Sequence, residues 1–192
     1  MYAMRFGCRL DKETEEDRSL NALRGMEGVR MREAYAEAAE IHGVRWTGRR
    51  YDRHNWHKAD PINKALSAAN ACMYGICHAA IVSGGYSTAL GFIHTGKQLS
   101  FVYDIGDLYK TEITIPLAFR TTAESSDDVE ERVRYACRDA FRQSRLLKRI
   151  LDEIDALLDM PDGQERAGPD VDADPAMPAS LWEDLWTQSM EV

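Results

Sequence analysis

The sequence lacks the features that mark secreted and membrane proteins. Its four cysteines, Cys8, Cys72, Cys77 and Cys137, form neither a CxxC pair nor a disulfide-dense pattern, so all four are expected to be small buried thiols. The first ten residues, MYAMRFGCRL, contain two arginines and no uninterrupted apolar run, so no signal peptide is expected. No apolar stretch is expected to be long enough to span a bilayer. We therefore expect a soluble protein of the reducing cytoplasm.

Basic residues are nearly absent from the last part of the chain. Residues 151–192 contain twelve acidic residues and a single base, Arg166, which gives a net charge of −11. The first 150 residues contain twenty acidic and twenty-three basic residues, a net charge of +3. The overall charge of −8 therefore reflects the end of the chain, and the body remains able to bind phosphate.

The composition changes after Pro161 to a stretch rich in Asp, Pro, Gly and Ala. Residues 161–192 are predicted to be a disordered acidic linker that ends in a short amphipathic segment. Apolar side chains in that segment recur at helical spacing, at Leu181, Trp182, Leu185 and Trp186. Such a segment commonly docks in a groove of a partner.

Capping residues and apolar spacing predict a mainly α-helical body over residues 1–160. A helix from Ser19 to about His42 should end at Gly43, and a second helix should begin at Asp60-Pro61 and reach Ser83. A third helix is expected to be ended or kinked by Pro116. One last long helix is predicted from residues 125–128 to about Met160. Its buried stripe is predicted to contain Val133, Ala136, Cys137, Ala140, Leu147, Ile150, Leu151 and Ile154.

The stretch GFIHTGKQLSFVYDIGDLYK, residues 91–110, carries two carboxylates three positions apart in an apolar helical run. A helix that is apolar nearly all round is normally buried, and a buried charge needs a partner. A divalent metal bound by Asp104, Asp107 and a nitrogen of His94 is one solution. The alternative is that Lys97 and Lys110 neutralise the two aspartates without any metal.

Glu27 lies on the apolar stripe of the first helix, between Gly25 and Gly28. The two glycines would allow a ligand or another backbone to approach closely. A carboxylate at this position suits either a metal ligand or a salt bridge to Arg24, Arg30 or another arginine. The spacing alone does not decide between the two.

Residues 44–60 interleave five Lys or Arg residues with Trp46, Tyr51 and Trp56. Cations neutralise phosphates and flat rings stack on unpaired bases, so this composition favours a nucleic-acid groove. The alternative is a loop whose aromatic side chains anchor it to the core while its arginines face solvent.

Five motifs together resemble the CRISPR-associated integrase and endonuclease family of spacer acquisition ("Cas one"), and the closest likeness is to its type I-E branch. They are LRGMEGVRMREAY, TGRRYDRHNW, CMYGICHAAI, GFIHTGKQLSFVYDIGDLYK and VRYACRDAFR, collinear across about residues 1–150. The resemblance implies an α-helical, metal- and DNA-binding catalytic domain over residues 1–160. It implies a metal-dependent enzyme that inserts short foreign DNA into the CRISPR repeat array by 3′-hydroxyl attack on a phosphodiester.

The family motifs also imply which residues act. Glu27, His94 and Asp104 would bind Mg²⁺ or Mn²⁺, and Asp107 would complete the catalytic set. The implied DNA contacts are Arg24, Tyr51, Trp56, Tyr74 and Lys97, together with Arg49, Arg50, Lys110, Arg134 and Arg138.

The family's partners are branched or partly single-stranded DNA, a small CRISPR adaptation subunit ("Cas two") and a second copy of the chain. Family members pair through a β-rich N-terminal domain, and no stretch of these 192 residues resembles it. The chain is therefore expected to represent the helical domain alone. A DNA-binding scaffold without catalysis is the alternative function, and an unrelated helical hydrolase of small phosphate esters is a more distant one.

Overall fold

The structure, a computed structural model, describes residues 20–50 and 56–158, and describes only the backbone at residues 20–24. Every regular element in these two ranges is helical, which confirms the predicted mainly α-helical class. The elements are α1 (Leu20–His42), a 3₁₀ turn (Trp56–Lys58), α2 (Pro61–Ser83), α3 (Ser100–Tyr109), a π-helical segment (Lys110–Thr114), α4 (Ile115–Glu124), α5 (Val129–Gln143) and α6 (Leu146–Leu157). The predictions for residues 1–18 and for the acidic tail lie outside the described residues.

Helix α2 is the central element and packs against α3, α4, α5 and α6. Its bounds are those predicted. The Asp60 carboxylate accepts a hydrogen bond from the Asn63 backbone N–H at 2.8 Å and so caps the first turn, where Pro61 follows. At the other end Gly84 caps the helix and Gly85 adopts a left-handed φ of 75°. Small buried side chains on α2 let its neighbours approach closely.

The length and apolar composition of Pro61–Ser83 are sufficient for a membrane span. The expectation that no stretch is this long was therefore wrong. Length and composition alone are weak evidence for a span, because a helix at the centre of a helical domain has the same properties. In this structure α2 packs against four other helices.

Pro116 does not end its helix, because a π turn precedes it. Within the π-helical segment the Ile115 N–H donates to the carbonyl of Lys110, five residues earlier. Proline has no N–H for the usual helical bond, and its ring collides with the carbonyl four residues back in a regular α-helix. A wider turn before the proline relieves this conflict, and α4 then continues to Glu124.

The predicted last helix is two helices. The chain breaks at Ser144 and at Arg145, which has a left-handed φ of 50°, between α5 and α6. The Ser144 hydroxyl and its backbone N–H both donate to the Ala140 carbonyl, at 2.8 and 3.0 Å, so the hydrogen bonds of α5 end at Ser144. The break changes the buried stripe only at the start of α6, and Ile150 and Ile154 are buried as predicted. Leu146 is fully buried, and Leu147, which was predicted to be buried, is 46% exposed.

The described cysteines are free thiols. Cys77 and Cys137 are buried, as predicted, whereas Cys72 is only partly buried on the side of α2 that faces α5. The expectation that all the thiols are buried is therefore wrong for Cys72. Cys8 lies outside the described residues.

Arg149 on α6 ties the π-helical segment to the end of the domain. Its two terminal nitrogens donate to the two oxygens of Glu112, both at 2.7 Å, and its Nε donates to Glu153 at 2.6 Å. Glu153 also accepts from the Tyr109 hydroxyl at 2.8 Å. The hydrogen bonds from Arg149 are the main reason that the pKa of Glu112 is lowered from its ordinary value of 4.5.

Replacing Arg145 by glycine should stabilise the protein. A left-handed conformation costs a side-chain-bearing residue about 1–2 kcal/mol, and the greater freedom of unfolded glycine offsets about half of the gain. We expect Arg145→Gly to raise the free energy of unfolding by about 0.5–1 kcal/mol in urea titrations. The matched variant Arg138→Gly, in the regular part of α5, should lower it by about 1 kcal/mol. Equal losses in both variants would contradict the left-handed elbow.

Stability should depend on pH through the Glu112–Arg149 pair. The pKa of Glu112 is lower in the folded state, so the pair stabilises the protein above pH 4.5 and is lost as the pH falls through the folded-state pKa. The melting temperature of Glu112→Gln should therefore lie below that of the native chain at pH 6–7, and the difference should shrink in acid. Glu33→Gln, an exposed change on α1, should show no such convergence. A difference that stays constant down to acid pH would exclude the pair as its source.

Candidate functional site

Asp104 is a fully buried carboxylate whose two oxygens accept four hydrogen bonds from one short loop. Oδ2 accepts from the backbone N–H groups of Phe92 at 2.5 Å and Ile93 at 2.9 Å. Oδ1 accepts from the backbone N–H of His94 at 3.0 Å and contacts the His94 ring nitrogen Nδ1 at 2.6 Å. Charge-assisted bonds of this kind compensate a buried charge for the water it has lost.

The loop before α3 folds back tightly enough to reach Asp104. A Cβ atom on Gly91 would lie 2.3 Å from the His94 carbonyl oxygen and 2.8 Å from Ser100, so only glycine fits there. The Phe101 N–H donates to the Thr88 carbonyl at 2.9 Å, which joins the start of the loop to the first turn of α3. Residues 91–94 are thus held from both sides, and the His94 ring is fixed beside Asp104.

A row of rings connects this pair to the second aspartate. The His94 ring meets the Tyr103 ring edge-on with centroids 5.6 Å apart, and Tyr103 meets Tyr74 of α2 edge-on at 4.9 Å. The Lys110 ammonium lies 4.6 Å from the centroid of the Tyr74 ring and also bonds its hydroxyl. Lys110 in turn pairs with Asp107, so the row ends at a carboxylate.

Gly106 allows this row to form, because a Cβ at that position would lie 2.9 Å from the Tyr74 ring. Tyr74 therefore packs directly on the backbone of α3, between the two aspartates. Burial raises the pKa of the Tyr74 phenol, although the Lys110 charge acts in the opposite direction. Tyr74 is consequently a neutral hydroxyl at physiological pH.

Lys110 neutralises Asp107, which is the metal-free alternative that the sequence left open for this residue. Lys110 Nζ lies 2.5 Å from Asp107 Oδ1, so the two side chains form a close ion pair. Burial alone would lower the pKa of Lys110. The charge of Asp107 and the contact with Tyr74 have a larger effect in the opposite direction, so the pKa of Lys110 is raised. Lys110 is a buried, permanently charged partner of Asp107.

Glu27 also shows the salt-bridge alternative. Its two oxygens accept from Arg30 at 2.9 and 3.0 Å, one turn further along α1. Arg30 also donates to the Thr111 hydroxyl at 2.7 Å and so links α1 to the π-helical segment.

The sequence indicated Arg30 only as a possible partner of Glu27, and the contacts of Thr111 and Tyr103 were not predicted. The proximity of Tyr103 to Asp104 in the chain is the only signal that could have identified it.

The predicted metal ligands are distributed over separate pairs in this structure. His94 lies with Asp104, Asp107 with Lys110, and Glu27 with Arg30. Within residues 20–50 and 56–158, no three His, Cys, Asp or Glu side chains come together as a metal-holding group. One imidazole with several carboxylates is nevertheless a donor set that suits Mg²⁺ or Mn²⁺. His94 bonds Asp104 through Nδ1, which leaves Nε2 as its nitrogen for a ligand.

The predicted DNA contacts fall into three groups. Exposed cations are Arg50, Lys97, Arg134 and Arg138. Tyr74 and Lys110 are engaged with each other inside the protein. Arg49 is exposed, and its guanidinium also donates to the side chain and carbonyl of Asn63 and to the Ser67 hydroxyl. Trp56 opens the 3₁₀ turn and is partly buried. Tyr51 and the side chain of Arg24 lie outside the described residues.

Trp46 anchors the basic loop to the core. Its ring stacks on Tyr35 with centroids 5.0 Å apart and meets Phe119 edge-on at 5.5 Å. For this aromatic residue the structure shows the anchoring role, while Arg45 and Arg50 of the same loop remain exposed.

Removing the charge of Asp104 should loosen the loop that it holds. Asp104→Asn replaces one acceptor oxygen by an amide that cannot accept from the loop N–H groups, which we expect to cost about 3 kcal/mol of unfolding free energy. Hydrogen exchange at the Phe92, Ile93 and His94 amides should accelerate at least about tenfold. Asp152→Asn, an exposed change on α6, should stay within about 0.5 kcal/mol of the native chain. Unchanged exchange in Asp104→Asn would contradict the holding role.

The sequence is similar to one family of known proteins. The family model described as CRISPR associated protein Cas1 matches residues 7–141. The chain is 50% identical over 186 residues to CRISPR-associated endonuclease Cas1 2 of Thermus thermophilus, covering 95% of this chain and 55% of that protein. It is 44% identical over 184 residues to CRISPR-associated endonuclease Cas1 of Escherichia coli, covering 94% of this chain and 59% of that protein.

Solved structures similar to this chain are also Cas1 structures. A crystal structure of a TtCas1–DNA complex is similar with a TM-score of 0.72 at 55% identity, over 82% of this chain and 56% of that chain. A crystal structure of TtCas1 is similar with a TM-score of 0.68 at 52% identity. The chain spans between 55% and 59% of the length of the two relatives named above. The motifs, the helical fold and these matches show that the chain belongs to the CRISPR-associated protein Cas1 family.

Proposed function

We propose that this chain carries the metal-dependent nuclease and integrase chemistry of a Cas1 protein. In this reaction a DNA 3′-hydroxyl, or water, attacks a phosphodiester, and short foreign DNA enters a CRISPR repeat array. The observation that carries the proposal is the His94–Asp104 pair, in which a fully buried carboxylate fixes a histidine that is 38% exposed. Support comes from the relatives named as endonucleases and from the solved relative in complex with DNA.

In the proposed mechanism Asp104 positions His94. Asp104 accepts a hydrogen bond from the Nδ1–H of His94, so the lone pair of the imidazole resides on Nε2. That nitrogen can take a proton from an attacking hydroxyl or act as a ligand. The three backbone bonds from the loop keep the carboxylate from turning away from the ring.

Glu27, His94 and Asp104 would hold Mg²⁺ or Mn²⁺, with Asp107 as an added ligand. Such an ion, when bound, activates the attacking hydroxyl and stabilises charge on the attacked phosphate. The lone pairs of Asp104 are all engaged by the loop, and Glu27 is engaged by Arg30. Metal binding therefore requires these two carboxylates to exchange part of their present partners for the ion.

DNA is proposed to lie against the exposed cations. Arg50, Lys97, Arg134 and Arg138 are placed to neutralise phosphates, and Trp56 and Tyr51 are proposed to stack on unpaired bases. We also propose the small CRISPR adaptation subunit and a second copy of the chain as partners in the cytoplasm.

A scaffold that binds DNA without catalysis is the second candidate. The observation that favours it is the pairing of Glu27 with Arg30, apart from the His94–Asp104 pair. This candidate predicts DNA binding that weakens steeply with salt and does not respond to Mn²⁺.

The test is strand transfer and cleavage on a branched, labelled DNA with Mn²⁺, with and without the partner subunit. His94→Ala and Asp104→Ala should each lose about 10²-fold or more of the native rate, because proton transfer and positioning fail together. The matched controls are His78→Ala, an exposed histidine on α2, and Asp152→Ala, and both should keep the native rate. Native activity in His94→Ala would refute the assignment. No product from the native chain with its partner, despite salt-sensitive DNA binding, would establish the scaffold.

A further inference from the structure

Arg30 of α1 donates hydrogen bonds from each nitrogen of its guanidinium group. Nε and Nη2 donate to the two carboxylate oxygens of Glu27 at 3.0 and 2.9 Å, and Nη1 donates to the Thr111 hydroxyl of the π-helical segment at 2.7 Å. A guanidinium that meets both oxygens of one carboxylate makes a strong, charge-assisted pair of defined geometry. Arg30 therefore holds Glu27 in one position relative to the π-helical segment.

The pair is shielded from water but remains accessible. The side chain of Glu27 is 14% exposed and that of Arg30 is 26% exposed. Partly buried ion pairs are screened less by salt than surface pairs are, so this contact persists at physiological ionic strength. Arg30 consequently places a positive charge beside the carboxylate that the proposed function needs for a divalent ion.

Arg30 is better suited to change its partner than Lys110, the buried cation of the site. Lys110 is 9% exposed and is engaged by both Asp107 and Tyr74. The Arg30 side chain is more exposed, and the planar fork of its donors fits the oxygens of a phosphate as well as those of a carboxylate. The Thr111 hydroxyl is a neutral acceptor, which can keep Nη1 in place during such an exchange.

We propose that Arg30 is a phosphate-binding residue of the candidate site, and that it releases Glu27 when a DNA phosphate takes the place of the carboxylate. Glu27 then binds Mg²⁺ or Mn²⁺ in place of the guanidinium. This inference rests on the proposed function. It adds to that function a residue that makes metal binding depend on DNA.

The charges give the direction of the effect. Without DNA, a divalent ion at Glu27 meets the charge of Arg30 at close range and must displace its hydrogen bonds. With DNA, the phosphate neutralises the guanidinium and accepts those hydrogen bonds instead. Because the coupling between two ligands is reciprocal, DNA should tighten metal binding by the same factor by which the metal tightens DNA binding.

The experiment measures free Mn²⁺ by electron paramagnetic resonance while the full chain is titrated, with and without a branched DNA. The DNA has 3′-dideoxy ends so that strand transfer cannot begin, and the binding of Mn²⁺ to the DNA alone is subtracted. We expect the native chain to bind Mn²⁺ at least about fivefold more tightly when DNA is present. Fluorescence anisotropy of the labelled DNA should show the reciprocal gain when Mn²⁺ is added.

Arg30→Gln should separate metal binding from DNA. Without DNA this variant should bind Mn²⁺ at least about fivefold more tightly than the native chain, because Glu27 has lost its competing cation, and DNA should add less than about twofold. A merely structural role for Arg30 would instead weaken Mn²⁺ binding in the variant. Arg32→Gln removes an exposed arginine from the same helix and should keep both the native affinity and the native effect of DNA.

Circular dichroism at 222 nm checks that each variant is helical. Arg30→Lys, which keeps the charge but cannot make the two-pronged contact, replaces Arg30→Gln where the latter is not helical. Its affinity for Mn²⁺ without DNA should lie above that of the native chain.

His94→Ala distinguishes the failure of this inference from the failure of the proposed function. If His94→Ala loses Mn²⁺ binding while Arg30→Gln matches the native chain or binds Mn²⁺ more weakly, the metal site stands and the role of Arg30 is refuted. If His94→Ala binds Mn²⁺ as the native chain does, the proposed metal site is refuted, and the inference is refuted with it.

Discussion

The candidate site depends on one buried charge, the carboxylate of Asp104. Taking a carboxylate out of water costs several kcal/mol unless hydrogen bonds replace the lost hydration. Asp104 recovers that cost from three consecutive backbone N–H groups and one imidazole, all within residues 92–94. The loop conformation, the direction of the His94 ring and the burial of the charge therefore depend on each other. A loop of another length, or a side chain at Gly91, would leave the carboxylate without its donors.

Helix α2 positions α3, which carries both aspartates of the site. Its buried face is made largely of small side chains, so α3 lies close enough for Tyr74 to touch the backbone at Gly106. The phenol then acts as the second partner of Lys110, whose ammonium also neutralises Asp107. Asp104 and Asp107, three residues apart, thus have different kinds of partner. Asp104 accepts hydrogen bonds from a loop, and Asp107 pairs with the buried ammonium of Lys110 in the adjoining π-helical segment.

Structural features that depend on residues close together in the sequence could be predicted. The bounds of α2 follow from Asp60, Pro61 and Gly84, because capping groups act on neighbouring backbone. A partner for Asp104 was predicted because a carboxylate in an apolar helix must have one nearby, and His94 contacts it. That the two residues bind a metal stays a prediction. The elbow at Arg145 and the π turn before Pro116 were missed, because an arginine in the left-handed conformation and a wider helical turn leave no capping or glycine signal in the sequence. For Glu27, helical spacing was equally compatible with a salt bridge and with a metal, and only the position of Arg30 shows the first.

The π turn at residues 110–114 fixes the angular phase of the chain after the site. One extra residue in a helical turn rotates everything that follows by about 100° relative to an unbroken α-helix. Thr111 and Glu112 are thereby directed to α1 and α6, while the preceding turns still present Asp104 and Asp107 to the loop and to α2. The number of residues in this segment therefore determines the rotation of α4 relative to α3. Deleting one residue would turn α3 and α4 out of phase with each other, even though every side chain at the site itself remained in the sequence.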